Sequence, residues 1–395
     1  MNIKEKILIL NGSISELPII EEAKKMGYYV MTTGNMPELI GHKYADKYIP
    51  ADYSDEECIL HLVKENEISH IVSCANDFGV LTASYVAEKM GWKGHDSYKN
   101  AVLLHHKDKF KEYCVKKNIP SPKSKIFLDM DSAYEYINNC VYPIIVKAND
   151  LTGGKGILKA ENVSEAKIAV ENAFEKSRDK HILIEPFLKG QQQSFGAFIS
   201  KGKIISSFST DCYSPINPYL IQTETLPARG IEKIREELEK IICTIVDDLQ
   251  LVDGILCLQY IVCDGKPYVI EMMRRCFGNQ FLTLARMNSG FPWEKAYILA
   301  AMGKDTSSIV SKKPKYKYCG HHGIMANRNG ILRGYSIDDS IKSHIFQSIE
   351  ILKPGTKIHD YLNERIAYIW YSYDSHDEMI EAAKSFNKLI KIDLE

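Results

Sequence analysis

Apolar positions in the first hundred residues alternate between short unbroken runs and stretches of helical spacing. Residues 7–10 form one apolar run, Asn11-Gly12-Ser13 follows as a turn, and Leu17, Ile20, Ala23 and Met26 then recur every third position up to Gly27. That pattern predicts a strand, a turn and a helix closed by Gly27. Further strands are predicted over 28–31 and 71–74, with a helix around 58–64 between them. Strand–helix alternation of this kind marks βαβ units, whose parallel sheet is covered on both faces. Such sheets collect ligands at the carboxyl ends of their strands, where Asn11-Gly12 and Asn76-Asp77 stand.

The pattern changes after a helix predicted over 107–117, which Asn118-Ile119-Pro120-Ser121-Pro122 cannot continue. Strands are predicted over 144–147 and 181–185, separated by the glycine loop Thr152-Gly153-Gly154-Lys155-Gly156 and a helix over 164–174 capped by Ser164. Two antiparallel strands, 194–199 and 203–208, join through Ser200-Lys201-Gly202. Ile231, Ile234, Leu238, Ile241, Ile242, Ile245, Val246 and Leu249 form one face of a long helix, supported by a Glu236–Lys240 pair. Strands over 255–262 and 268–272 meet at Cys263-Asp264-Gly265-Lys266, a hairpin signal. Lysine-rich residues 307–317 mark a boundary, beyond which come short strands, glycine turns and a terminal helix near 377–389.

Composition narrows the class. With 395 residues, two to three domains are expected at about 150 residues each. Lys and Arg total 50 against 51 Asp and Glu, with no basic block, so nucleic acid is not an expected partner. The longest apolar run, from Ala296 to Met302, is far short of the roughly 20 residues that span a bilayer. Lys4 and Lys6 precede an apolar stretch too short for a signal peptide. Ten cysteines without a CxxC pair read as reduced thiols of a cytoplasmic protein. The adjacent pairs His105-His106 and His321-His322 lack metal-binding helical spacing and are expected on the surface or satisfied in the core.

Three constellations carry candidate chemistry. The loop with Gly153, Gly154, Lys155 and Gly156 follows a strand ending at Lys147, so backbone N–H groups and two lysines can surround a polyphosphate. It is not a Walker A loop, since Gly156 follows the lysine; taken alone, it also describes a surface turn. Glu185-Pro186-Phe187-Leu188 leaves a strand extended, with free backbone groups suited to a purine edge, although a solvated strand exit reads the same way. Gln259 and Glu271 lie on the two strands of the hairpin, where a period of two lets both face one side. An amide oxygen and a carboxylate there suit Mg²⁺, and Arg274-Arg275 follows at once to neutralise phosphoryl charge. A solvent-facing Gln–Glu pair is the plain alternative.

In this order the constellations resemble the ATP-grasp superfamily, in its carboxylate–amine ligase branch with a metal-site variant like that of carbamoyl phosphate synthetase. The resemblance covers most of the chain. It implies a mixed α/β and α+β multi-domain fold: an N-terminal parallel α/β domain over 1–105, an ATP-grasp domain over 106–306 with a mobile lid near 120–190, and a small C-terminal α+β unit over 307–395. It implies that Lys109 and Lys147 contact ATP phosphates, that Gly153 to Gly156 fold over them, and that Glu185 to Leu188 line the adenine. Gln192 takes the ribose position, Gln259 and Glu271 hold Mg²⁺ (Mn²⁺ being an alternative ion), and Arg275 acts with Lys147 in catalysis. Met273 replaces a second metal ligand, Arg274 the usual proline, and Gln192 a glutamate. Asn76, Asp77, Asn279 and Arg286 are candidate substrate contacts. The implied reaction forms an amide through an acyl phosphate with release of ADP and phosphate. Its partners are a small-molecule carboxylate and amine, and a homodimer is compatible with the family. A nucleotide-binding protein without turnover, or a maker of an acyl or carbamoyl phosphate, are the alternatives.

Overall fold

The computed structural model describes residues 4–73, 75–151 and 153–395. Cys74, expected at a strand end, and Thr152 of the glycine loop lie outside them. The N-terminal unit is a parallel four-stranded sheet in the order Lys47–Pro50, Tyr29–Gly34, Lys6–Leu10, His70–Val72. Its central strand is fully buried from Ile7 to Leu10, because helices cover both faces. Gly27, at a φ of +93°, ends the first helix as expected.

The lid is a four-stranded antiparallel sheet, ordered Lys125–Phe127, Ile182–Pro186, Ile144–Ala148, Ile157–Ala160. Helices Met130–Ile137 and Val163–Lys176 pack their alanines and Phe174 against it. The second of these starts earlier than expected. Asn162, not Ser164, is its cap, accepting from the Glu165 amide while Glu165 accepts in return from the Glu161 amide.

An eight-stranded antiparallel sheet forms the body: Lys266–Met273, Gly254–Cys263, Gln191–Ser200, Lys203–Tyr213, Thr223–Leu226, Tyr318–Ile324, Ala367–Tyr373, Ile345–Glu350. Both predicted hairpins are present, and their central residues (Lys201-Gly202 and Asp264-Gly265) all have positive φ, the signature of tight turns that match strand twist. Helix Ile231–Leu249 has its expected bounds and seats its apolar face on Phe195, Leu256, Leu258 and Tyr260. The i,i+4 ion pair on it is Arg235–Glu239 at 3.8 Å rather than Glu236–Lys240. The sheet runs without interruption across the boundary expected at 306/307, because Thr223–Leu226 pairs with Tyr318–Ile324. One core holds Ile7 and Ile9 together with Phe198, Trp293 and Trp370, so the C-terminal strands complete the body of the molecule and are not a separate layer.

Candidate active site

Between the lid, the body sheet and the N-terminal unit lies a cavity of about 680 Å³. Its inner wall is ionic. Lys147 and Glu185 sit on neighbouring antiparallel strands, on one face, two residues out of register. Glu185 is fully buried; its carboxylate accepts from Lys147 Nζ at 2.6 Å and Ser124 Oγ at 2.5 Å, and Lys111 Nζ stands 3.2 Å away. Burial alone would raise this carboxyl, but Lys111 and Lys147 override that and hold it down to about 2. Burial lowers the Lys111 ammonium pKa, against the pull of Glu185. Two lysines on one carboxylate leave a net positive charge at the wall, suited to an anionic ligand.

Pro186, Phe187 and Leu188 continue that wall. The Phe187 amide is committed to the Pro143 carbonyl at 3.0 Å, so at this position the carbonyls and Leu188 are what remain for a ligand edge. Gly153 and Gly154 line the cavity, whereas Lys155 is exposed and Gly156 is buried behind the loop. Gly154 is required twice over. Its φ is +77°, and a Cβ would stand 2.5 Å from the Tyr219 carbonyl oxygen. The Tyr219 hydroxyl in turn accepts from the Lys159 amide at 2.7 Å, tying the segment to the lid strand.

At the far end of the cavity Gln259 and Glu271 are direct partners in the hairpin ladder, and both face the cavity. Gln192, on the next strand, donates Nε2 to Gln259 Oε1 at 3.1 Å. Arg275 also faces the cavity and is held by Asp77, whose Oδ1 is 2.5 Å from its Nε and 3.1 Å from His105 Nδ1. Burial would raise the Asp77 carboxyl, but Arg275 and the His105 hydrogen bond hold it well below the usual range. Arg274 points the other way: it is buried against Asp96 at 2.7 Å and the Ile255 and Val252 carbonyls.

Residues 105–213 match the family model of the phosphoribosylglycinamide synthetase ATP-grasp (A) domain. Over the whole of both chains the structure superposes on the L-amino acid ligase of Bacillus licheniformis with a TM-score of 0.83 at 17% identity. The chain has the ATP-grasp fold. It is 24% identical over 300 residues to the carbamoyl phosphate synthase large chain of Clostridium acetobutylicum, covering 72% of this chain and 27% of that one. It is 29% identical over 286 residues to the phosphoribosylamine–glycine ligase of Listeria monocytogenes, covering 66% of each. The chain therefore spans about a quarter to two thirds of the length of these curated relatives.

Of the residues singled out from the sequence, the cavity brings together Lys147, Gly153, Gly154, Glu185, Pro186, Phe187, Leu188, Gln192, Gln259, Glu271, Arg275, Asn76 and Asn279. Five placements need correction, the first being Gly156, which is buried behind the loop and does not line the cavity. Lys109 is exposed and faces away, while Lys107 and Lys111, one helical turn apart on the opposite face, line the cavity. Lys155 does not face it. Asp77 is the counter-ion of Arg275 and no free substrate contact. Arg286 is bound to Glu294 at 3.0 and 3.1 Å on the neighbouring helix, outside the cavity. Asn76 caps the helix Asp77–Met90, and Asn279 accepts from the Tyr368 hydroxyl. Sequence reasoning also missed Glu224, on the strand Thr223–Leu226, and Arg365, just before the strand Ala367–Tyr373, which line the cavity from positions 141 residues apart. No local motif marks either. His321 and His322 are both core residues, and His322 is satisfied through Nδ1 and the Thr223 hydroxyl at 2.7 Å, but neither ring nitrogen of His321 has a partner, against the expectation of a satisfied core histidine; burial lowers both to about 3.

Proposed function

We propose that this chain is an ATP-dependent, Mg²⁺-requiring ligase that joins a carboxylate to an amine with release of ADP and phosphate. The observation that carries the reading is one cavity with a lysine-lined wall at Lys147 and Glu185 and a Gln259–Glu271 pair beside Arg275 at its other end. A triphosphate laid along it has its adenine by Phe187 and Leu188 and its γ-phosphate by Arg275. A carboxylate is a poor electrophile, and transfer of the γ-phosphoryl group to it creates a good leaving group. The protein's part is to position the reactants and to neutralise charge through Lys111, Lys147 and Arg275. Asp77 fixes the Arg275 guanidinium so that it meets developing charge already oriented. Closure of the lid excludes water from the acyl phosphate.

An amide oxygen and one carboxylate on adjacent positions fit Mg²⁺, which binds through one or two protein oxygens together with substrate phosphates. Gln259 and Glu271 would hold it, and when bound it neutralises phosphate oxygens. Met273 is buried and brings no ligand, which supports a single well-held ion. Mn²⁺ substitutes if the site selects only for oxygen-binding divalent cations. The nine described cysteines are unpaired, in keeping with a cytoplasmic location. A second copy of the chain is the proposed assembly partner.

The test is nucleotide product analysis across a panel of carboxylates and amines. ADP and phosphate are expected in equal amounts, with hydroxylamine in place of the amine giving a hydroxamate that tracks ADP. AMP with pyrophosphate would overturn the reaction class. Binding of ATP with no ADP release across the panel would favour the second reading, a nucleotide-binding protein without turnover, which the loss of a second ligand at Met273 motivates.

A further inference from the structure

Past the Gln259–Glu271 pair the cavity continues to a charged end that the phosphate-handling residues leave unused. Glu224 and His321 are direct partners across antiparallel strands. The Glu224 carboxylate uses Oε1 to accept from Thr210 Oγ1 at 3.0 Å, while Oε2 has His321 Nε2 at 3.7 Å, too far for a hydrogen bond. Both ring nitrogens of His321 lack a hydrogen-bond partner in the structure. Burial and the nearby Arg365 lower this imidazole to about 3, so it gives Glu224 no positive partner.

Arg365 shows the complementary deficit. It lines the same cavity, donates Nη2 to the Ile221 carbonyl at 3.0 Å, and has a buried Nε with no acceptor. Among the described residues no carboxylate pairs with it. Its position depends on Gly323, where a Cβ would stand 3.1 Å from Nε. Gly323 and His321 lie two residues apart on one strand and so share a face, at roughly 7 Å. An arginine without a carboxylate and a carboxylate without a cation thus line the same cavity, each near His321, and its wall also includes Phe208, Phe277 and Phe281.

We infer that Glu224 and Arg365 form the subsite for the amine substrate, and that this substrate is an α-amino acid with an apolar side chain. Arg365 takes its carboxylate, Glu224 its ammonium, and the phenylalanine rings its side chain. The inference rests on the ligase reading for its chemistry, not for the binding itself. Burial pushes the Glu224 carboxyl up to about 7, which suits a group that receives a proton near neutrality. In the step, the ammonium gives one proton to Glu224 and the freed amine adds to the acyl carbon. The carbon–oxygen bond to phosphate then breaks, phosphate leaves with that electron pair, and the second amine proton departs with it. One N–H remains in the amide.

Calorimetry on the full chain with L-leucine, N-acetyl-L-leucine and 3-methylbutylamine, in the presence of Mg²⁺ and a non-hydrolysable ATP analogue, tests the subsite. L-Leucine is expected to bind, with each analogue at least about tenfold weaker, since each lacks one of the two charges. Arg365→Met should weaken L-leucine about tenfold without changing 3-methylbutylamine, and Glu224→Gln should weaken both. Equal binding of the three compounds, or no L-leucine binding, would overturn the inference. The wild-type comparison decides even where a variant fails to fold. ADP release in parallel separates the two claims: L-leucine binding without ADP release removes the ligase reading and keeps the subsite, while ADP release with amines other than amino acids does the reverse.

Discussion

At the scale of single residues, charge placement decides what each side chain does. Glu271 is the only carboxylate facing Gln259 in the hairpin, so Glu271→Ala should abolish divalent-metal-dependent ADP release while the thermal unfolding curve stays close to wild type. Full activity in the folded variant would remove the metal-site assignment. Glu185 makes a second prediction, in acid. Its carboxyl is raised by burial but lowered further by Lys111 and Lys147, from 4.5 to about 2. A carboxyl depressed in the folded state stabilises the protein fully above the unfolded value, and that contribution is lost as the pH falls toward the folded value. Urea midpoints should therefore drop between roughly pH 4.5 and pH 2, and Lys111→Met should move the drop upward. The same midpoint-against-pH curve in variant and wild type would exclude Glu185 as a contributor. Lys111 also shows what a sequence can and cannot give. Helical spacing places Lys107 and Lys111 on one face and Lys109 on the other, yet nothing local says which face meets the ligand.

At the scale of elements, the glycine loop is the most informative. Gly153 and Gly154 both have positive φ, but an added Cβ meets nothing at Gly153 and the Tyr219 backbone at Gly154. Gly153→Ala should cost about 1–2 kcal/mol of local strain. Gly154→Ala adds a clash that must displace either the loop or the Pro218 to Ile221 segment. We expect ATP affinity to fall further for Gly154→Ala than for Gly153→Ala, measured by calorimetry; equal losses would mean that the loop is not seated against Tyr219. In the body, Ile242→Ala on the long helix should destabilise by about 2–5 kcal/mol, since that side chain is fully buried among Phe195 and Leu256 neighbours. The bounds of this helix and the turns of both hairpins were legible because their signals are local: a 3.6-residue apolar period, and turn pairs that accept positive φ; the hairpin strands themselves run longer than their patterns suggested, most of all Lys203–Tyr213. The cap at Asn162 was misread because Ser164 is also a good cap residue, and only the reciprocal Asn162–Glu165 contacts distinguish them.

At the scale of the molecule, the N-terminal unit and the body share a core and exchange ion pairs, while the lid keeps a core of its own. Asp77, on the first helix after a parallel strand, grips Arg275 from the body hairpin 198 residues away. Asp77→Asn removes the negative charge while keeping the shape. A fully buried pair broken on one side costs about 3–5 kcal/mol, and less is expected here because a fifth of the Asp77 side chain is exposed. Turnover should fall more than ATP affinity, because the guanidinium loses its orientation and not its charge. A kcat and an affinity reduced in equal proportion would indicate general loosening instead. What the sequence by itself determined was whatever acts over a few residues: the alternation of strands and helices, the glycine loop, the hairpin bringing Gln259 opposite Glu271, and the order of these pieces along the chain. What only the tertiary structure decided was whatever depends on register between distant strands. Glu224 meets His321, and Arg365 lies over Gly323, because a body sheet continues into strands that composition marked as a separate unit. Those pairings are fixed by burial of the large side chains around them, such as Trp293 and Trp370, and hydrophobic burial has no sequence-local signature for which distant partner it selects.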